Sequence, residues 1–203
     1  MRLVERYGLT SEHTISRVIK GGWQLAGGHG SVDREKALDD MLAYVESGIT
    51  TMDCADIYTG VEELIGEFLE RHQDAMRDGR LPAVQVHTKY VPDREALPTL
   101  SGEDVEATIE RSLQRLGVDR LDLVQFHWWD YGIPGYVEAA LHLEGLRQKG
   151  KIKHVGVTNF DVDRLEEIVS AGVPVVSNQV QYSVLDHRPV RLMVDFCSRH
   201  GIS

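Results

Sequence analysis

Several features that define particular classes of protein are missing from this sequence. No segment approaches the roughly 18 consecutive apolar residues of a membrane-spanning helix. The first residues, MRLVERYGLTSEHT, contain no apolar core of signal-peptide length. The two cysteines, Cys54 and Cys197, are far apart, and neither belongs to a C-x-x-C pair. We therefore expect a cytoplasmic protein with reduced thiols and no membrane partner.

Positive charge is also scarce. Lysine and arginine total 22 residues against 32 aspartates and glutamates, the net charge is −10, and no basic run is present. Because binding to nucleic-acid phosphates requires clustered lysine and arginine, we expect no nucleic-acid partner. The sequence also lacks an H-E-x-x-H pattern, so it predicts no metal site.

The sequence does contain a regular alternation of two kinds of segment. Short runs rich in β-branched residues recur, and each is followed by a longer segment with helical spacing of its apolar residues. This alternation predicts parallel strands joined by crossover helices, within a single domain covering 1–203. The runs are VIKGGWQL (18–25), ITTMDCA (49–55), AVQVHTKYV (83–91), LDLVQFH (121–127), IKHVGVTNF (152–160) and VVSNQVQYS (175–183).

Three helical segments are predicted from their ends as well as from their spacing. Each begins at residues that favour a first helical turn, and two end at a glycine, which favours the conformation that follows a helix. The segments are 101–117 with the capping pair Ser101 and Asp104, 134–150 between Pro134 and Gly150, and 161–172 between Asp161 and Gly172. The stretch RDGRLP (77–82) is predicted to be a loop.

Two architectures fit repeated strand–helix units: an open doubly wound sheet and a (β/α)₈ barrel of the TIM-barrel type. The dinucleotide fingerprint G-x-G-x-x-G would favour the first, but GGWQLAGGHG after the first strand lacks that spacing and is not a P-loop. The α/β barrel is therefore favoured. Because eight units typically need about 250 residues, we expect a barrel truncated to about six βα units.

Polar side chains stand at the ends of most of the predicted strands. In a (β/α)₈ barrel the C-terminal ends of the strands meet at one face, where the active site lies. We therefore expect these side chains to converge on one site. They are Asp53 and Tyr58 after the second strand, Lys89 near the end of the third, His127 at the fourth, Thr158 and Asn159 at the fifth, and Gln179 on the sixth.

This group of residues suits proton donation to a carbonyl oxygen. A tyrosine such as Tyr58 has a pKa of about 10, and a neighbouring Lys89 ammonium would lower that pKa. Asp53 would keep the lysine charged and oriented, while His127 could hydrogen-bond the substrate oxygen. Since no side chain supplies hydride, a nicotinamide cofactor is implied, and Asn159 could hydrogen-bond its carboxamide together with Gln179.

With these residues in place, the sequence resembles the aldo-keto reductase family of NADPH-dependent (β/α)₈ enzymes. The resemblance rests on "MDCADIYTGVEELIGEFL", "VHTKY", "IERSLQRLGVDRLDLVQFHWWD", "LEGLRQKGKIKHVGVTNF" and "VSNQVQY", which span the chain in family order. It implies reduction of aldehyde or ketone carbonyls to alcohols, or the reverse. The cofactor would be NADP(H), and the partner a small-molecule carbonyl or alcohol substrate.

The resemblance also assigns roles to individual residues. It implies that Tyr58 is the general acid, that Lys89 and Asp53 tune it, and that His127 orients the carbonyl. It implies that the cofactor is bound by Gly22, Trp23, Asp53, Thr158, Asn159 and Gln179. It also implies that the substrate pocket is lined by Trp23, Tyr58, His127 and Trp128.

The resemblance is incomplete at the C-terminus. In the family, the last two βα units supply an aromatic residue that stacks on the nicotinamide and basic residues that clamp the adenosine 2′-phosphate, and neither follows Ser203. We expect a fragment or truncated gene product, or a barrel that another polypeptide completes. Substrate identity, NADP or NAD preference, and oligomeric state are left open.

Two other functions stay open at this point. One is a non-catalytic scaffold or regulatory protein, or an inactive fragment, built on the same fold. The other is a different barrel enzyme such as a glycosidase. A glycosidase needs two opposed carboxylates at strand ends, and only Asp53 clearly qualifies.

Overall fold

The protein is an alternation of strands and helices, as the sequence predicts. A computed structural model describes residues 4–28 and 30–203. The strands are β1 Arg6–Thr10, β2 His13–Ser16, β3 Lys20–Gly21, β4 Thr51–Asp53, β5 Gln85–Tyr90, β6 Leu121–Phe126, β7 Ile152–Thr158 and β8 Val175–Gln179. The helices are α1 Arg34–Glu46, α2 Val61–Arg77, α3 Gly102–Leu116, α4 Tyr136–Gln148, α5 Val162–Ser170 and α6 Met193–His200. Short 3₁₀ helices cover Trp23–Leu25, Arg94–Thr99 and Arg188–Val190.

Six strands form one sheet in the order β3-β4-β5-β6-β7-β8, which is the order of the chain. The pairs β3–β4, β4–β5 and β7–β8 are parallel. Each of the six predicted apolar runs contributes one strand to this sheet. The predicted alternation of parallel strands and helices is therefore confirmed.

The first of these strands is shorter than predicted. Only Lys20–Gly21 is extended, and the chain then turns into the 3₁₀ helix Trp23–Leu25. Gly22 lies between them with helical dihedral angles, φ −95° and ψ −10°. The strand in the apolar run 18–25 therefore ends at Gly21 and Gly22, because glycine has no side chain to hold an extended conformation.

An antiparallel hairpin precedes the sheet and was not predicted. β1 pairs with β2 so that Arg6 faces Ser16 and Tyr7 faces Ile15, with an irregularity after Gly8. Only the second strand is mainly buried, because β1 exposes its first three residues. This one-sided burial leaves a weak apolar pattern in the sequence.

Helix ends follow the predicted signals with one shift. The hydroxyl of Ser101 accepts a hydrogen bond from the Asp104 amide at 3.3 Å, and the Asp104 carboxylate accepts one from the Ser101 amide at 2.9 Å, so the capping pair is confirmed. Asp161 caps α5 by accepting from the Arg164 amide. Helix α4 begins at Tyr136 with Gly135 as its cap, so Pro134 lies just before the helix.

Contacts within the chain define two compact units. One comprises the chain up to Thr88 together with Glu110–Asp122, and within it α1 packs on α2. The other comprises Lys89–Ile109 and Leu123–Ser203, and within it α4 packs on β7 and on α5, while β7 pairs with β8. The expectation of a single domain over 1–203 stays a prediction.

The second unit extends its sheet beyond α6. The Ser203 amide donates to the Val176 carbonyl at 3.0 Å, and the Asn178 amide donates to the Ser203 carbonyl at 2.9 Å. Ile202 beside it is buried. At this point β8 is therefore hydrogen-bonded on the side opposite β7.

No helix within residues 4–28 and 30–203 combines the length and apolar character that a bilayer crossing requires.

Candidate active site

The first unit places Tyr58 in a tight turn after β4. The Tyr58 amide donates to the Ala55 carbonyl at 3.0 Å, and the Val61 amide donates to the Tyr58 carbonyl at 3.0 Å. Helix α2 starts at Val61, directly after Gly60, whose φ of +77° few other residues adopt readily. The backbone on both sides of the phenol is therefore fixed, and its ring is only partly exposed.

The loop after β3 contacts the same turn. The Gly22 amide donates to the Asp53 carbonyl at 2.8 Å. A Cβ atom at Gly22 would lie 2.9 Å from that oxygen and 2.8 Å from Val61, closer than real Cβ contacts allow. This close approach brings the Trp23 ring to 4.9 Å from the Tyr58 ring, edge to face at 65°. Four of the predicted site residues, Gly22, Trp23, Asp53 and Tyr58, thus lie together.

The phenol of Tyr58 loses its proton less readily than an ordinary tyrosine. Burial raises the pKa of Tyr58, and the nearby Asp53, Cys54 and Asp56 raise it further. The net direction is opposite to the lowering that a neighbouring ammonium alone would give. Desolvation disfavours the phenolate, and acidic neighbours repel it.

The second unit holds Lys89 and His127. The Lys89 side chain is buried. The His127 amide donates to the Tyr90 carbonyl at 3.0 Å, which fixes the residue at the end of β6. Burial lowers the pKa of His127 below its usual value of 6.5, although its contact with the Thr158 carbonyl opposes the change.

The contact with Thr158 decides which ring nitrogen of His127 holds the proton. Nδ1 lies 3.3 Å from the Thr158 carbonyl oxygen, and a carbonyl can only accept. Nδ1 is therefore the donor, and the neutral ring keeps a lone pair on Nε2. In this form Nε2 accepts from a hydroxyl, and it donates to a carbonyl only when the ring is an imidazolium.

Three predicted cofactor residues lie at the adjoining ends of β7 and β8. The Thr158 hydroxyl donates to the Gln179 carbonyl at 3.0 Å, and the Asn159 amide donates to the same oxygen at 2.9 Å. Asn159 has φ +61°, a left-handed conformation that asparagine tolerates better than most residues. The side chains of Asn159 and Gln179 are both exposed. Two amide side chains offering donors and acceptors fit a carboxamide such as that of nicotinamide.

The two tryptophans after His127 occupy different environments. Trp128 is 1 % exposed, packs between Phe126 and Tyr136, and donates its indole N–H to the carbonyls of Asp130 and Ile133. This burial places Trp128 in the core of the second unit, and its role in the substrate pocket stays a prediction.

Trp129 takes the place beside the histidine. It is 48 % exposed, and its ring lies edge to face 4.7 Å from that of His127. Its indole N–H donates to the Pro92 carbonyl at 2.8 Å. Adjacent side chains after a strand point in opposite directions, and the sequence alone does not say which of the two faces the histidine.

Two charged residues in the first unit were also missed. Glu62 is 1 % exposed in the first turn of α2, and Arg115 contacts it from the last turn of α3. The position of Glu62 in the helix could have predicted its burial. Glu62 is adjacent to Val61 and one turn before Ile65, both of which are buried. A carboxylate at the edge of an apolar helical face is expected to have a buried partner.

Across residues 4–28 and 30–203, no three His, Cys, Asp or Glu side chains are grouped so as to hold a metal ion. Contacts join Tyr58 with Trp23, Gly22 with Asp53, and His127 with Thr158. That Tyr58, Lys89, Asp53 and His127 act on one substrate stays a prediction.

Comparison with known proteins assigns the class. The model of the aldo/keto reductase family matches residues 17–203. This chain therefore belongs to the aldo/keto reductase family, and the resemblance predicted from its motifs is confirmed.

Relatives with stated functions are similar over most of this chain. The NADH-specific methylglyoxal reductase of Escherichia coli (strain K12) is 30% identical over 217 residues, covering 95% of this chain and 63% of that protein. The glyoxal reductase of Bacillus subtilis (strain 168) is 30% identical over 169 residues, covering 82% of this chain and 55% of that protein. The chain thus spans less than two thirds of the length of these curated relatives.

A solved structure gives the fold class. The thermostable aldo-keto reductase Tm1743, in complex with the inhibitor epalrestat, superposes with a TM-score of 0.81 at 29% identity. The match covers 98% of this chain and 71% of that one. The fold is therefore of the (β/α)₈ TIM-barrel type, represented here by six strands of the parallel sheet.

Proposed function

We propose that this chain is the catalytic part of an NADP(H)-dependent oxidoreductase that reduces aldehyde or ketone carbonyls to alcohols, or runs the reverse reaction. Tyr58 is the general acid, Lys89 and Asp53 tune it, and His127 orients the substrate oxygen. The observation that carries the proposal is the phenol of Tyr58, fixed after β4 against Trp23 in a member of this family.

The protonation states of Tyr58 and His127 support this assignment. Because its pKa is raised, Tyr58 is protonated at neutral pH and holds the proton that a developing alkoxide needs. His127 is neutral at that pH, and Nε2 can accept a hydrogen bond from the hydroxyl of an alcohol. The buried ammonium of Lys89 would lower the cost of leaving a phenolate behind.

The residues present fit a nicotinamide. When bound, the reduced nicotinamide supplies the hydride. Asn159 and Gln179 would hold the carboxamide, and Gly22 leaves room for close approach beside Trp23. The preference for NADP(H) over NAD(H) comes from the family resemblance, and the Escherichia coli relative is named NADH-specific.

Small carbonyl compounds are the proposed substrate class. The two relatives compared above are named for methylglyoxal and glyoxal. Trp23 and Trp129 offer exposed aromatic faces next to Tyr58 and His127 respectively. A cytoplasmic location belongs to the same proposal.

The direct test is a fluorescence titration of this chain with NADPH and, separately, with NADH. We expect saturable binding, with a lower Kd for NADPH. The double variant with Asn159→Ala and Gln179→Ala should weaken binding of both. The matched control is Asn178→Ala, next to Gln179, because the side-chain amide of Asn178 donates to the Phe160 carbonyl instead. Binding of neither nucleotide would reject the enzyme in favour of a scaffold or an inactive fragment.

A further inference from the structure

A buried charge network lies behind the turn that holds Tyr58. Glu62 is 1 % exposed. Its Oε1 accepts a hydrogen bond from the Thr88 hydroxyl at 2.6 Å, and its Oε2 lies 3.3 Å from Nη1 of Arg115. One carboxylate on α2 therefore links strand β5 to the end of α3.

Arg115 connects this network to the catalytic turn. The same Nη1 donates to the Asp56 carbonyl at 3.0 Å, two residues before Tyr58. Its Nε lies 3.2 Å from Glu63. The base of the arginine is held as well, because α2 and α3 pack so closely at Gly66 that a Cβ there would collide with the Arg115 carbonyl.

Stability alone accounts poorly for this arrangement. Burying an ion pair costs desolvation energy that its attraction barely repays, and an apolar pair of similar volume is often as stable. A fully hydrogen-bonded network does fix the relative positions of the backbone elements that it joins. Here the element that is fixed carries Tyr58.

We propose that Arg115, held by Glu62, is a positioning residue for Tyr58. The guanidinium holds the Asp56 carbonyl and so sets the depth at which the phenol is buried. The catalytic meaning of this role depends on the function proposed above, whereas the positioning itself does not.

The chain contains a matched ion pair for comparison. Arg147 on α4 pairs with Glu144 on the same helix at 2.6 Å. The two arginines are 35 % and 34 % exposed, and their carboxylates 9 % and 1 %. Removing either arginine leaves a carboxylate without its charge partner, so Arg147→Met controls for the loss of a half-buried pair.

The test uses tyrosine labelled with ¹³C at Cζ, with the Tyr58 signal assigned by its loss in Tyr58→Phe. In Arg115→Met the Tyr58 signal should shift, and its pKa should fall toward the ordinary value of about 10, because the phenol becomes less buried. Arg115→Lys should restore the signal only partly, since an ammonium lacks the planar fork of donors. Arg147→Met should leave the Tyr58 signal where it is.

An unchanged Tyr58 signal and pKa in folded Arg115→Met would overturn the proposal, as would an equal shift in Arg147→Met. Where Arg115→Met does not fold, Arg115→Lys and Glu62→Gln decide by the same signal. With methylglyoxal and NADPH, Arg115→Met should lower kcat about tenfold or more with little change in KM. If the wild-type protein shows no turnover, the proposed function is rejected. The positioning role of Arg115 is then decided by the NMR signal of Tyr58 alone.

Discussion

Individual side chains decide the chemistry proposed for this chain. Burial, together with Asp53, Cys54 and Asp56, keeps the proton on Tyr58, and the Thr158 carbonyl keeps one on Nδ1 of His127. The phenol is therefore ready to donate, whereas the imidazole is ready to accept. This difference predicts opposite pH dependences for the two directions of the reaction.

Lowering the pH should favour carbonyl reduction. As the pH falls through the lowered pKa of His127, below its usual 6.5, the ring becomes an imidazolium and Nε2 can donate to a carbonyl oxygen. We expect kcat/KM for an aldehyde to rise and kcat/KM for an alcohol to fall over this range. Profiles of kcat/KM against pH between pH 5 and 8 test this expectation. The same change of kcat/KM with pH in His127→Gln would contradict it.

Gly22 should tolerate no side chain. Gly22→Ala places a methyl group against the Asp53 carbonyl and Val61, so we expect a loss of about 1–3 kcal/mol in unfolding free energy. Trp23 should move away from Tyr58, which tryptophan fluorescence reports against a Trp23→Phe reference. The control is Gly21→Ala, where a Cβ meets nothing within 4 Å. Equal losses of unfolding free energy in Gly22→Ala and Gly21→Ala would show that the close backbone approach at Gly22 does not exclude a side chain.

Much of the candidate site could be predicted from sequence because strand ends are visible in the apolar pattern. Asp53, Lys89 and His127 are polar residues at the ends of apolar runs, and such positions are few. Side-chain direction just after a strand is not encoded in that pattern. The burial of Trp128 and the exposure of Trp129 beside His127 therefore could not be predicted from the sequence.

The ends of the helices follow from the sequence where it contains a capping residue or a terminal glycine. Capping by Ser101 and Asp161, and the glycines after α4 and α5, set helix ends that the sequence predicts within one or two residues. The hairpin β1–β2 was missed because its pairing partner and its buried side are decided by contacts with the rest of the unit. Hairpins of that size are only marginally stable by themselves.

Two glycines, one inside α4 and one just after it, should respond to alanine in opposite ways. Gly150 follows the helix at φ +83°, and nothing lies within 4 Å of a Cβ there. Gly150→Ala should cost about 1 kcal/mol of unfolding free energy through backbone strain alone. Gly145 is inside the helix with equal space, so Gly145→Ala should add about 0.5–1 kcal/mol. Urea denaturation measures both, and the same sign for both would contradict this account of the helix end.

At the scale of the whole molecule, the chain is a member of the aldo/keto reductase family. The family model covers residues 17–203, and the fold matches a solved aldo-keto reductase. The curated relatives extend over more residues than this chain does, since it covers 63% of one and 55% of another.

The most direct measurement is the rate of NADPH oxidation by this chain with methylglyoxal, for wild type, Tyr58→Phe and Tyr44→Phe. Tyr44 is a surface tyrosine on α1 and serves as the control. We expect turnover in wild type and in Tyr44→Phe, with a loss of about a hundredfold or more in Tyr58→Phe, as expected for removal of a general acid. A Tyr58→Phe rate equal to that of the wild type would contradict the general-acid role of Tyr58.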